Sequence, residues 1–430
     1  MNPLIVLIGG FFMLVALRVN IGFALILASL IVMVMEGLPL ASVINQMYSN
    51  INSFTLLAVP FFMFLGRILN SGSITQRLLD VSNASVGHIR GGLGHVNVFV
   101  SMIFASLSGS AAADTASIGS ILIPAMKRAG YSPAFSAALT AASSTLGVII
   151  PPSIILIVYG AFGNVSIGAL FLGGVVPGLT IGVSMMVYTY LVALREGYPA
   201  LPFPGLPALR TALWRGAAAM LIPVFVLGGV IGGIFTPTEA AISAVLWALI
   251  LTLILFRDVP VAQIPKLLVA ATLDFSVPLF TVAGAGIFGW PIAYLGAARI
   301  VVEFITAVSS DPTVIILMLI GFLLLVGTVL NPISAVLIFL PIIQGLGDLA
   351  GMNPVHMGVL ATITLSVGLI TPPYGICLLI AAQIADVPLG RAMLAVLPIV
   401  GLTISIAVLS VFFPGLVLAL PRLAFPTVFT

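Results

Sequence analysis

The chain has 430 residues, 61% of them hydrophobic and only 6% charged, with a net charge of +3. No soluble core needs so large an apolar share, so the composition excludes a soluble domain and points to an all-α polytopic membrane protein. A single cysteine, Cys377, excludes internal disulfides and thiolate metal clusters; His88, His95 and His356 stand apart without a metal-ligand motif, and the sparse basic residues form no clustered face for nucleic acid.

The first apolar run, from Pro3 to Arg18, lacks a small-residue cleavage site and is followed by more apolar spans, so it reads as a spanning helix rather than a removed signal peptide. Further apolar spans continue to about residue 90, and a hairpin and a broken helix are expected over about 91–165. There, "GHVNVFVSMIFAS" runs into a small-residue tip, "LSGSAAADTAS", and a second apolar segment ending at Pro124. Each arm is too short to span comfortably if the tip lies between them, which predicts a re-entrant hairpin. Pro133 in "AGYSP" then starts a helix where its missing N–H costs little, and the helix runs about four turns to "GVIIPP". One proline inside a helix costs about 3 kcal/mol or more. Two in a row, Pro151 and Pro152, predict an unwound stretch, and in a bilayer free backbone groups survive only where they line a cavity or meet a ligand.

The link "REGYPALPFPGLPALRTALWRG" (Arg195–Gly216) is rich in proline and reads as a connector, with residues 201–216 dividing a first repeat, 1–200, from a second, 217–430. "FTPTEAAI" reads as a helix start in which Glu239 favours the dipole. After apolar helices over about 217–310, a second hairpin and broken helix are expected over about 311–385, followed by a final helix over about 390–416.

The two halves match. A shift of 221 residues places "LGVIIPPSI" on "VGLITPPYG" and pairs Gly130, Pro133, Gly147, Pro151 and Pro152 with Gly351, Pro354, Gly368, Pro372 and Pro373. Upstream, after a four-residue insertion, Asp114, Ser117 and Pro124 fall on Asn331, Ser334 and Pro341. If the first hairpin enters from the cytoplasm and the second, inverted, from outside, twelve of the fourteen basic residues, Arg67 among them, fall on the cytoplasmic side, all but Arg299 and Arg422. That satisfies the positive-inside rule, and inverted repeats with paired broken helices are the signature of secondary transporters.

"SGSAAADTASIGSILIPAMKRAGYSPAFSAALTAASSTLGVIIPPSIILIVYG" and "NPVHMGVLATITLSVGLITPPYGICLLIA" resemble the large membrane subunit of tripartite ATP-independent periplasmic (TRAP) transporters, a likeness that runs through essentially the whole chain. The resemblance implies a sodium-coupled uptake system for small organic acids, dicarboxylates or sialic acid among them, in the bacterial inner membrane. It implies a scaffold, a transport domain that moves as an elevator, a small four-helix membrane subunit as partner and a periplasmic binding protein that delivers substrate. No cofactor beyond Na+ is expected.

On that pattern a first sodium site is expected between Ser108 at the hairpin tip and Gly147, Ile150 and Pro151 at the break; a second, by symmetry, between Gly327 or Thr328 and Gly368, Thr371 and Pro372. Hard cations want oxygen ligands, which unwound carbonyls supply. Asp114 is the only acid near either break: a functional group by default at membrane depth, or an N-cap of the returning helix. The family often carries an acid where this chain has Asn331. With Ser110, Ser334, Ser143, Thr145, Thr364 and Ser366 these residues make up the expected substrate cavity, each hydroxyl being equally able to back-bond its own helix. A stand-alone ion-coupled carrier is the alternative within the same class. An intramembrane hydrolase would need Ser110 as nucleophile and His356 as base, and a passive channel would need no ion gradient. The sequence has no phosphate-binding loop for ATP hydrolysis, so ion gradients are expected to supply the energy, and no enzyme is expected.

Overall fold

Apolar runs fold as helices in a bilayer because every backbone polar group is then satisfied within its own segment. The computed structural model describes residues 2–426, apart from the side chains of Ala298 and Phe304; the last four residues of the expected second repeat, 427–430, lie outside the described residues. Among the described residues all regular structure is helical, and eight helices are long and apolar enough to cross a membrane.

The chain begins with α1 (Pro3–Ala16), α2 (Ile21–Met35), α3 (Ala41–Ile51), α4 (Ala58–Ser71) and α5 (Ile74–Val86). The first hairpin follows as α6 (Gly92–Ser108) and α7 (Ala111–Arg128), and then a broken helix as α8 (Pro133–Ser144) and α9 (Ile154–Gly163). α10 (Ile167–Glu196) leads to the connector, and α11 (Leu206–Ile231), α12 (Pro237–Leu249), α13 (Ile264–Tyr294) and α14 (Ala297–Val308) lead to the second hairpin. That hairpin is α15 (Pro312–Val329) and α16 (Pro332–Leu349), its broken helix α17 (Pro354–Ser366) and α18 (Ile376–Ala385), and α19 (Leu389–Phe412) and α20 (Gly415–Ala424) finish the fold.

Local sequence explains most of the starts. α1, α15, α16 and α17 each open with an Asx–Pro pair, in which the Asn or Asp side chain accepts from a first-turn N–H and proline takes the position that needs no donor. At α12, Thr236 and Glu239 form a reciprocal capping box, so Glu239 is a helix-start residue.

Each broken helix tightens into a 3₁₀ turn, Thr145–Val148 or Val367–Ile370, before the double proline interrupts it. Both Pro–Pro peptides are cis. In each half the hairpin packs on the first part of its own broken helix, and its returning arm packs on the last part of the other half's broken helix: α7 against α18, and α16 against α9.

Two hydrogen bonds tie that exchange. Lys127 Nζ donates to the Ala385 carbonyl at the end of α18 (2.6 Å), and Gln344 Nε2 donates to the Gly163 carbonyl at the end of α9 (2.9 Å). The two donors are repeat equivalents under the alignment that pairs Asp114 with Asn331, and each satisfies a helix-end carbonyl left without an intrahelical partner. Lys127→Met or Gln344→Leu is expected to cost about 1 kcal/mol. The check is a lower unfolding temperature for the purified protein, larger in the double variant than in either single one.

A second group of helices lies beside this assembly. α13 packs along α2, α3 and α4, α12 along α4, and α11 along α5 and α12. The groups meet where α4 and α5 contact α6 and where α13 contacts α16.

Candidate functional site

The 18-residue arms of the second hairpin are each long and apolar enough to cross a membrane alone, so arm length does not make it re-entrant, against the expectation from sequence. Each tip ends against the interruption in the middle of a broken helix.

At the first tip, Gly109 adopts a left-handed conformation (φ 63°), and a Cβ there would come 2.9 Å from the Pro152 carbonyl oxygen, so only glycine lets the tip seat on the break. Ser110 caps α7, its hydroxyl accepting from Ala113 N. Asp114 is therefore not the N-cap; it lies one turn into α7, and because Ser110 already fills the capping position its carboxylate is free to turn inward. It is fully buried, and Oδ1 accepts from Ser108 Oγ at 2.5 Å. Oδ2 has no hydrogen-bond partner among the described residues and faces the break, where a Cβ on Gly147 would lie 2.6 Å from it. A buried carboxylate oxygen without a donor is costly, and a cation relieves that cost.

Ser108, Asp114 and Gly147 thus meet at the first break, Ile150 and Pro151 follow Gly147 within it, and all five are buried. The donors on offer are carboxylate, hydroxyl and carbonyl oxygens, the set a hard cation prefers.

The second tip seats more closely. A Cβ on Gly368 would fall on the carbonyl of Gly327, and Tyr374 N in the break donates to the Thr328 carbonyl at 2.8 Å. Thr328 and Thr371 spend their hydroxyls on Leu325 and Val367 carbonyls, each at 2.7 Å. Asn331 caps α16 through Ile333 N and donates to Tyr374 Oη at 3.0 Å. The residues of the second expected site, Gly327, Thr328, Gly368, Thr371 and Pro372, are therefore close in space, without a carboxylate among them and with Thr328, Thr371 and Pro372 only partly buried.

Between the tips lies a cavity of about 500 Å³. Ser110 and Asn331 line it, on opposite tips. Asp114, Ser334, Ser143, Thr145, Thr364 and Ser366 do not line it, because their positions on helices turn them into the packed interior. Ser143 joins a buried chain with Asn97, Thr140 and Ser101 across α6 and α8, while Thr145, Thr364 and Ser366 bond carbonyls of their own helices. His356 is buried in α17, apart from the cavity that Ser110 lines, so the nucleophile–base pair a hydrolase would need is absent.

Three cavity residues were not legible as site residues: Arg67 and Asn70 on α4 and Asp274 on α13. Arg67 Nε and Nη2 both donate to Asp274 Oδ2, at 2.8 and 2.5 Å. The available signal was a charge inside each of two apolar helices, which at membrane depth defaults to function.

The sequence matches the family described as "Tripartite ATP-independent periplasmic transporter, DctM component" over residues 8–416. It is 36% identical to the sialic acid TRAP transporter large permease protein SiaM of Vibrio cholerae, with 94% of this chain and 95% of that one covered. It is also 36% identical to the C4-dicarboxylate TRAP transporter large permease protein DctM of Pseudomonas aeruginosa, with 88% of each covered. The crystal structure of the Alcanivorax borkumensis YdaH transporter shares the fold at a TM-score of 0.64 and 14% identity, over 87% of this chain and 89% of that one. The chain is a multi-pass membrane protein that belongs to the DctM component family of TRAP transporters.

Proposed function

We propose that this chain is the transmembrane subunit of a sodium-coupled uptake system for small organic acids in the bacterial inner membrane. The observation that carries the coupling is Asp114 Oδ2, a buried carboxyl oxygen without a hydrogen-bond donor among the described residues, beside the first break. Ser108, Asp114 and the carbonyls of Gly147, Ile150 and Pro151 hold the first sodium ion; Gly327 or Thr328 with Gly368, Thr371 and Pro372 hold a second in an all-neutral site. The acid binds between the tips, at Ser110 and Asn331. Its class follows from relatives named for sialic acid, C4-dicarboxylate and, in Escherichia coli, 2,3-diketo-L-gulonate, which share a carboxylate.

The tip-and-break assembly, tied by Lys127 and Gln344, is the body that moves, and the group around α4, α12 and α13 is the scaffold, as an elevator requires. Scaffold helices fall in both repeats, 1–200 and 217–430, with 201–216 between them. Partners are a small four-helix membrane subunit against the scaffold and a periplasmic binding protein.

The test is uptake of labelled N-acetylneuraminate, succinate and 2,3-diketo-L-gulonate into proteoliposomes holding this chain, its small subunit and its binding protein. Accumulation against the acid's gradient, only with an inward sodium gradient, is the expected result. Equilibration without a gradient would mark a channel, and uptake by this chain alone would mark a stand-alone carrier.

A further inference from the structure

We propose that Arg67 is a substrate-anion contact on the scaffold wall of the cavity, and that Asp274 both holds its guanidinium and competes with the substrate for it. The inference rests on the organic-acid reading above and adds the residue that recognises the carboxylate from the side facing the tips.

The geometry starts at Gly66. A Cβ there would meet the Ser108 Cβ at 3.5 Å, so α4 presses on the first tip at that residue, and Arg67, the next in the chain, lines the cavity together with Ser110 and Asn331. Of the two ion pairs among the described residues, Arg67–Asp274 is the one that joins separate helices, and it is the one in the cavity.

Both bonds from Arg67 converge on a single oxygen, Asp274 Oδ2, leaving Nη1 and one Nη2 hydrogen without a protein acceptor among the described residues. The side chains are 46% and 43% exposed, so the pair is open to a ligand. A guanidinium presents a planar fork that matches a carboxylate, and with one edge held by Asp274 it is aimed without being used up. An arginine without its aspartate would bind an anion and keep it; with a carboxylate alongside, the incoming acid meets one attractive and one repulsive group, which favours brief contact over storage. Ser110 and Asn331 belong to the tips, so the acid leaves Arg67 when tips and scaffold move apart.

The pair of variants Arg67→Gln and Asp274→Asn gives opposite signs. In the reconstituted complex, using whichever of N-acetylneuraminate, succinate and 2,3-diketo-L-gulonate the unaltered protein transports, Arg67→Gln is expected to raise KM at least about tenfold. Asp274→Asn is expected to lower KM and slow the maximal rate. A pair serving only to hold α4 to α13 would move both variants in one direction, lowering the rate and the unfolding temperature together, and that result overturns the proposal.

A neutral probe adds a readout that packing cannot mimic. The primary amide of the transported acid should compete weakly against uptake by the unaltered protein and equally with the acid in Arg67→Gln; an amide-to-acid ratio unchanged by the substitution overturns the assignment. Arg67→Lys, which keeps the charge and loses the fork, should fall between the two in KM. If the unaltered complex accumulates none of the three acids, the organic-acid reading fails and takes this inference with it; if it does so and Arg67→Gln keeps its KM, the inference alone fails.

Discussion

From the sodium site proposed above, Asp114→Ala is expected to abolish sodium-driven uptake, and Asp114→Asn to do nearly the same while leaving the protein at least as stable in sodium-free buffer. The argument is one of opposite balances in two states. Without a cation, a fully buried carboxylate with a single donor, Ser108, is a cost to the fold, and an amide of the same shape removes the charge. With a cation, the carboxylate is the only formal charge at the first break, and losing a charge-assisted contact is worth about 1.5–3 kcal/mol, or roughly ten- to hundredfold in apparent sodium affinity. Alanine removes in addition the acceptor for the Ser108 hydroxyl and leaves a void. The measurement is the unfolding temperature of the purified protein in sodium against choline: it rises with sodium for the unaltered chain and stays flat for Asp114→Asn. Normal uptake by either variant, or a sodium-induced rise that survives the substitution, sinks the assignment.

The parts of this site that the sequence exposed are the ones written in local rules. Consecutive prolines break a helix wherever they fall, and an Asx–Pro pair starts one, so both breaks and the start of α17 were readable without any tertiary information. Asp114 was readable because charge is scarce in this chain. The alternative reading of it as an N-cap does not hold, since Ser110, four residues earlier, starts the helix, and which polar residue caps depends on backbone angles at the tip.

The hydroxyls failed for a related reason. Ser143, Thr145, Thr364 and Ser366 lie near the breaks in sequence, but a helix turns each residue by about 100°, and these face packed neighbours instead of the cavity. Arg67 and Asp274 failed for a different one. They are 207 residues apart, and from sequence Arg67 reads as one more charge on the cytoplasmic side. Only the packing of α4 on α13 shows that they meet, and meet in the cavity. Lys127 and Gln344 carry the same lesson: the repeat equates their positions, yet what they do is visible only once α7 lies on α18 and α16 on α9.

Gly368→Ala is expected to separate the second tip from its break, and the contrast with Gly147→Ala separates packing from ion binding. Repeat-equivalent glycines face different obstacles. At Gly368 the new methyl would fall on the backbone of Gly327, carbonyl and Cα both, and backbone at a tip held by the Tyr374–Thr328 hydrogen bond has nowhere to yield. The tip must lift, the Tyr374 N–H loses its acceptor, and the expected cost is about 2–3 kcal/mol, seen as a lower unfolding temperature with or without sodium and a loss of uptake. At Gly147 the new methyl meets Asp114 Oδ2, the end of a side chain that can turn aside. That variant should keep its unfolding temperature in choline, lose the rise produced by sodium and lose sodium-driven uptake. A Gly368→Ala protein as stable as the unaltered one would mean that the second tip is not seated on its break, and a Gly147→Ala protein that still responds to sodium would move the first ion away from Asp114.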